Sequence, residues 1–345
     1  MIRKTPFERQ TVSMTLAALS LILTPAVYQF EPSTKMSYDV KVSFDGFLPI
    51  LGGNEGKADV IMVVDVQGRA KVGSNVAATN EISSCEILFN GAKLPLTLDN
   101  VIDFFPKTTI EATPGGKIVK NDAPNRRLPV RLPGLDVRRF PDITYLPVEF
   151  PEDGISEGKS WTFSKSFSES DLVYTCTPTA IRNDRALIDV KVEQKYEVFE
   201  DDALEVVKEA DAVAKVETVM TGSGQVTFDL KRGQAVKVRM TNNAVSKSTN
   251  IKSKKMTERK LKTDFSVTMK GYDFGGQTQT AAKAGNGGIL ETAKGWWQTA
   301  STTAVNLWNT GRGYITLAWI AMTSGTKLVP GLGGIFNQWL GQLRF

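Results

Sequence analysis

The chain has 345 residues, 41% of them hydrophobic and 23% charged, with a formal net charge of +5 and no histidine. That length accommodates two globular domains, and a charge so small argues for no nucleic-acid partner. Without histidine the commonest general base, the commonest metal ligand and every Ser–His or Cys–His pair are gone, which leaves carboxylate-only chemistry as the enzymatic route.

The chain begins with a basic lead, Arg3, Lys4 and Arg9, followed by the uncharged run MTLAALSLILTPAV over Met14–Val27. Basic-then-apolar order is the pattern of a secretory leader, and the run is shorter than the roughly 20 residues of a membrane span. Residues 1–27 are therefore expected to be a signal peptide or N-terminal anchor, with Thr24-Pro-Ala26 as a cleavage candidate. Export to the periplasm or the extracellular space follows from that pattern.

Residues 28–121 read as a first β lobe. Met36–Phe44 alternates apolar and polar at period two, as a strand with one wet face does. Ala58–Val66 is more continuously apolar and reads as a buried strand. Asn90-Gly91 is a hairpin turn signal, since both residues tolerate positive φ. Thr108–Ala112 and Lys117–Lys120 flank a second turn, Thr113-Pro-Gly-Gly116. Residues 122–151 are dense in proline and carry Arg126, Arg127, Arg131, Arg138 and Arg139. Proline cannot donate to a ladder and extends its predecessor, so this stretch reads as a connector or crossing strand. Its arginines read as a solvated face, with an anion contact as the sharper alternative.

Residues 152–273 form the second β lobe. Gly158–Phe167 alternates again, and Leu172–Thr179 and Ala186–Tyr196 follow around a turn at Asn183-Asp184. Over Glu200–Glu209 the spacing of Leu204, Val207 and Ala210 predicts a short helix capped by Asp201 or Asp202. Gln225–Leu230 and Gln234–Arg239 make a hairpin over Lys231-Arg-Gly233, and Phe265, Val267 and Met269 alternate in a last strand. The lobes look duplicated: Ser37–Asp45 matches Trp161–Ser168, Ala58–Val66 matches Ala186–Val192, and Thr108–Lys120 matches Val226–Val238.

Tyr38-Asp-Val40-Lys-Val42, Gly158-Lys-Ser-Trp161 and Phe228-Asp229-Leu-Lys-Arg-Gly233 together resemble uncharacterised, exported, β-rich bacterial proteins of unknown function. The resemblance covers residues 28–273. It implies an antiparallel, curved sheet and a cell-envelope location, and it carries no catalytic residues.

The remaining chain is of a different character. Residues 274–288 read as a Gly-rich linker and 289–345 as a helical tail holding Trp296, Trp297, Trp308, Trp319 and Trp339. From Gly295 onward the only charges are Arg312, Lys327 and Arg344. Interfacial aromatics with sparse basic charge suit an anionic membrane surface, while packing on the β lobes or a partner is the plainer alternative.

Few motifs carry chemistry. Asp229 and Gly233 form a turn motif, in which Asp bonds nearby backbone and Gly supplies positive φ. Asp201, Asp202, Glu205, Glu209 and Asp211 form an acidic cluster, read as a solvated helix face or, for a hydrolase, a carboxylate pair. The basic run from Lys252 to Lys262 reads as a charged edge or hairpin, with a phosphate or headgroup contact as the alternative. Cys85 and Cys176 form either a disulfide or two buried thiols. No P-loop, CxxC or HExxH is present, so no cofactor or metal is expected.

The fold expected is mainly β: two antiparallel curved-sheet lobes with a C-terminal helical Trp-rich segment. The function expected is a non-enzymatic envelope protein that binds a lipid, another apolar ligand or an envelope protein, its tail docking to membrane or partner. A carboxylate-only hydrolase and a structural assembly module are the alternatives.

Overall fold

The computed structural model describes residues 23–49, 53–94, 106–123, 142–167 and 170–274, with Leu98 and Pro133. Residues 1–22, the connector arginines, the Gly-rich linker beyond Phe274 and the expected helical tail over 289–345 with its five tryptophans lie outside the described residues.

The strands are β1 (Lys35–Leu48), β2 (Asn54–Val72), β3 (Asn75–Phe89), β4 (Ala92–Lys93), β5 (Thr108–Ala112), β6 (Ile118–Asn121), β7 (Trp161–Phe167), β8 (Ser170–Arg182), β9 (Arg185–Glu200), β10 (Val206–Val207), β11 (Ala214–Asp229), β12 (Gln234–Asn250) and β13 (Met256–Met269). One four-residue helix, α1 (Asp142–Tyr145), precedes β7. All pairings are antiparallel, and they form one 13-stranded sheet in the order β6-β5-β3-β2-β1-β13-β12-β11-β9-β8-β7, with β4 on β3 and β10 on β9.

The mainly β expectation holds, but the two lobes are one sheet. The first and last long strands pair, Tyr38 opposite Met269 through Gly46 opposite Leu261, so the halves share a continuous ladder. The duplication fits this ladder loosely: β8 intervenes between β7 and β9, whereas β1 and β2 are neighbours.

The turns form where the residues demand them. Asn90 and Gly91 take φ of 47° and 82°, and Asn183 and Asp184 take 52° and 57°, as two-residue hairpins require. The basic run is the β12–β13 hairpin, as expected. Its turn is held by Asn250, whose side-chain oxygen accepts the N–H groups of Lys252 and Ser253.

The expected helix over Glu200–Glu209 is absent. Asp201 accepts the N–H groups of Ala203 and Glu205, Leu204 takes a φ of 65°, and Val206-Val207 pair with Phe199 and Glu200. Side-chain bonds to local backbone compete with the helix, and β-branched valines favour the ladder.

Alternation then sorts the side chains. Tyr38, Val40, Val42 and Phe44 on β1 point to the same buried face as Val64 and Val66 on β2. The continuously apolar stretch of β2 obeys the same rule, and Ile61 on its other face is exposed. Two extended segments cross the buried face. Residues 24–30 form a strap, and residues 146–155 run beside it; Thr24 and Ile155 exchange backbone bonds of 2.7 and 2.9 Å. The strap's Ala26, Tyr28 and Phe30 are core residues. The boundary expected at residue 27 therefore falls inside the folded body.

Candidate functional site

An aligned row on the buried face crosses most of the sheet. One row of aligned residues runs Ile87, Val60, Val42, Phe265, Met240, Gly224, Val190, Cys176 and Trp161 from β3 to β7. Apart from Gly224 every member is apolar, so the face offers a hydrophobic band.

One end of this face is plugged by rings. Tyr28 lies 5.1 Å from Phe228 and 5.5 Å from Phe150, centroid to centroid, and Phe150 lies 4.7 Å from Phe228. The Tyr28 hydroxyl donates to the Val148 carbonyl at 2.9 Å, so the plug ties the strap to the crossing segment. Burial holds the Tyr28 phenol well above its ordinary pKa, and it stays neutral. Beside the plug, Asp142 on α1 accepts from Asn80, Asn121 and Tyr145 at 2.7 Å each, which fixes α1 to β3 and β6.

Toward the other end polar groups enter the band. Gln194, Asn242, Thr218 and Thr263 are buried there, and the Asn242 side-chain oxygen has no hydrogen-bond partner. Lys165 points inward, donates to the Leu146 carbonyl at 3.1 Å and lies 5.7 Å from the Phe163 and Tyr174 rings. At the far rim Arg259 meets Glu200 at 2.6 Å, their side chains 16% and 8% exposed, and the guanidinium stacks 4.6 Å from the Phe47 ring. Burial raises the Glu200 pKa above its ordinary value against the pull of Arg259. Beside the pair lies a cavity of about 30 Å³ lined in part by Tyr196, Thr218 and Ser246. That is room for a single water. The sequence shows Arg259 only as a member of the basic run and Glu200 only as the start of the expected helix, although continuing the alternation of β9 from Ala186 places Glu200 inward.

The turn motif does more than turn. Asp229 accepts from the Arg232 N–H at 2.7 Å and from the Tyr272 hydroxyl at 2.7 Å. Arg185 donates to that hydroxyl and to the carbonyls of Asp273 and Phe274, so the corner grips the chain as it leaves β13. Gly233 has a φ of +65°, and its carbonyl accepts from Gln29 of the strap. A Cβ there would stand 2.6 Å from Gln29 Cγ and 2.7 Å from the Val27 carbonyl oxygen. Gly233→Ala is expected to cost about 1–3 kcal/mol in urea unfolding. Gly73→Ala is the control, since Gly73 has a φ of +62° but open space around it. Equal losses in the two variants would show that the strap does not press on the turn.

The acidic cluster does not converge. Asp201 is consumed by its turn, and Glu209 and Asp211 lie in an exposed 3-10 turn. Among the described residues no group of His, Cys, Asp and Glu is placed to hold a metal. No helix of the described residues is long and apolar enough to cross a membrane.

The disulfide is not formed: Cys85 and Cys176 are free. They sit on β3 and β8, with β2, β1, β13, β12, β11 and β9 between them. At about 4.8 Å per strand that is roughly 30 Å along the sheet, far beyond the Cα separation of about 4.4–6.8 Å that a bridge tolerates. Burial pushes the thiols up to about 11 and about 12 respectively. Neither is a thiolate at neutral pH. In native buffer Cys176 is expected to be inert to a disulfide reagent, and both thiols to titrate once the chain is unfolded. Prompt native labelling of Cys176 would contradict its burial.

Comparison with other proteins adds little. No protein-family model matches the chain. No curated protein matches it. Among solved structures, one titled "Lipid-protein interactions in lipovitellin" is similar over 70% of this chain and 26% of its own, with 11% identity and a TM-score of 0.43.

Proposed function

We propose that the chain is a non-enzymatic, exported envelope protein that holds an apolar ligand, or the apolar face of a partner, on the inner face of its sheet. The observation that carries this reading is the row from β3 to β7, apolar at every position but Gly224. Its polar far end, with the Asn242 side-chain oxygen unpartnered and Glu200 held by Arg259, suits the headgroup of an amphiphile. The hydrolase alternative is disfavoured because the buried carboxylates are engaged. Asp65 is held by Lys35 and Ser37, Asp142 by Asn80 and Asn121, Glu200 by Arg259, and Asp229 by Tyr272.

The test uses the full chain purified from a bacterial host. Solvent extraction followed by mass spectrometry should release a co-purified lipid, and the extracted protein should take up a dansylated fatty acid. An empty extract with no uptake of the probe would end the ligand reading.

The Trp-rich tail is assigned to docking. Vesicles of anionic lipid should shift tryptophan emission to the blue, and removing residues 275–345 should abolish co-sedimentation. Emission already blue in buffer and unmoved by vesicles would assign the tail to a protein surface. If the leader is removed on export, the folded position of the strap requires the cut on the N-terminal side of Thr24. N-terminal sequencing of exported protein that began at Val27 would contradict this.

A further inference from the structure

On the other face of the sheet a groove of about 710 Å³ crosses β9, β11, β12, β13 and β1. Its volume is that of a small-molecule site, within the usual range of about 300–1,000 Å³. Small hydroxyl side chains, Ser43, Ser223, Thr241 and Ser266, make the floor between taller charged ones. Most of those charges are already matched. Lys41 pairs with Asp59, Asp264 with Lys262 and Thr241, and Asp189 accepts from Gln225. Arg239 and Lys191 line the same groove and have no ion pair among the described residues. Arg239 stands opposite Gln225 and Ser266, and Lys191 opposite Ser223. Strand spacing and rise set their Cα atoms about 12 Å apart, so two flexible cations flank one hydroxyl-lined floor.

We propose that this groove binds a polyol carrying an oxyanion, such as a sugar phosphate or sugar acid. Arg239 and Lys191 take the anionic group, and the serines, Thr241 and Gln225 take hydroxyls. A guanidinium offers an oxyanion two parallel donors, and serine hydroxyls both donate and accept. The cations are exposed, so the attraction is screened by salt and the hydroxyl contacts must supply the discrimination. Val190, Gly224, Met240 and Phe265 of the apolar row also border this groove, but the charged and hydroxyl side chains that alternate with them along the strands project from the opposite face, and the proposal does not depend on the reading given for that row.

Calorimetric titration of the full chain at about 150 mM salt tests it. Glucose 6-phosphate should bind, with glucose and inorganic phosphate each at least tenfold weaker. Arg239→Gln and Lys191→Gln should each weaken glucose 6-phosphate about five- to tenfold, and Lys252→Gln in the β12–β13 turn should change nothing. Uptake of the dansylated fatty acid should be the same in all variants. Equal affinity for inorganic phosphate, an equal loss with Lys252→Gln, or no binding of glucose 6-phosphate would overturn the proposal.

Discussion

Replacing Arg259 by methionine is expected to cost about 3–5 kcal/mol at pH 7.5, because it leaves a buried carboxylate without its cation. Glu200 and Arg259 meet at 2.6 Å, and neither reaches bulk water freely. The pH dependence identifies the cause. Glu200 has a folded pKa raised from its ordinary 4.5 by burial. A raised acid contributes stability that is fully present below the unfolded value and is lost as pH rises through the folded value. Without Arg259 the folded value climbs further, so the deficit of Arg259→Met should shrink as pH falls from 7.5 toward about 5. The acids Asp59, Asp65 and Asp264 are shifted the other way, so wild type itself loses stability toward acid. Comparing variant with wild type at each pH removes that background. Glu200→Gln combined with Arg259→Met should recover most of the loss. A deficit that is constant with pH would assign it to lost packing on Phe47 instead.

Tyr28→Ala is the second large effect, expected at about 3–5 kcal/mol from a cavity at the centre of the ring cluster. Tyr28→Phe keeps the ring and loses the bond its hydroxyl donates to the Val148 carbonyl and the longer one it accepts from the Val148 N–H, and should cost about 1–2 kcal/mol. Urea unfolding of both variants, with unchanged slope, checks the pair. A Tyr28→Ala variant within about 1 kcal/mol of wild type would mean that the strap adds nothing to the core.

Tyr28 also marks where local reading gave out. The apolar run ending at Val27 has the composition of a leader, and nothing in it marks the last residues as core. Thr24 bonds Ile155, and Gln29 just beyond the run bonds Gly233, each more than a hundred positions away. Cys85 and Cys176 are a second instance, since β-like surroundings carry no information about how many strands separate them. The expected helix at Glu200 failed for a local reason, the competition of Asp201 for backbone donors.

Many of the strands and turns are legible locally, though not β10 or the first parts of β3 and β11. Period-two alternation fixes which side chains share a face, and Asn90-Gly91, Asn183-Asp184 and Asp229–Gly233 reverse the chain because their own side chains and φ preferences suit a turn. Long-range pairing joins the two runs of strands into one sheet, through β1 and β13. Tertiary packing likewise decides that the strap closes one end of the apolar face, that Glu200 finds Arg259 across the sheet, and that two unmatched cations flank a groove on the other side. Each of these depends on residues far apart in the chain, brought together because the unpaired edges of β1 and β13 and the apolar strap lose less by meeting than by staying in water.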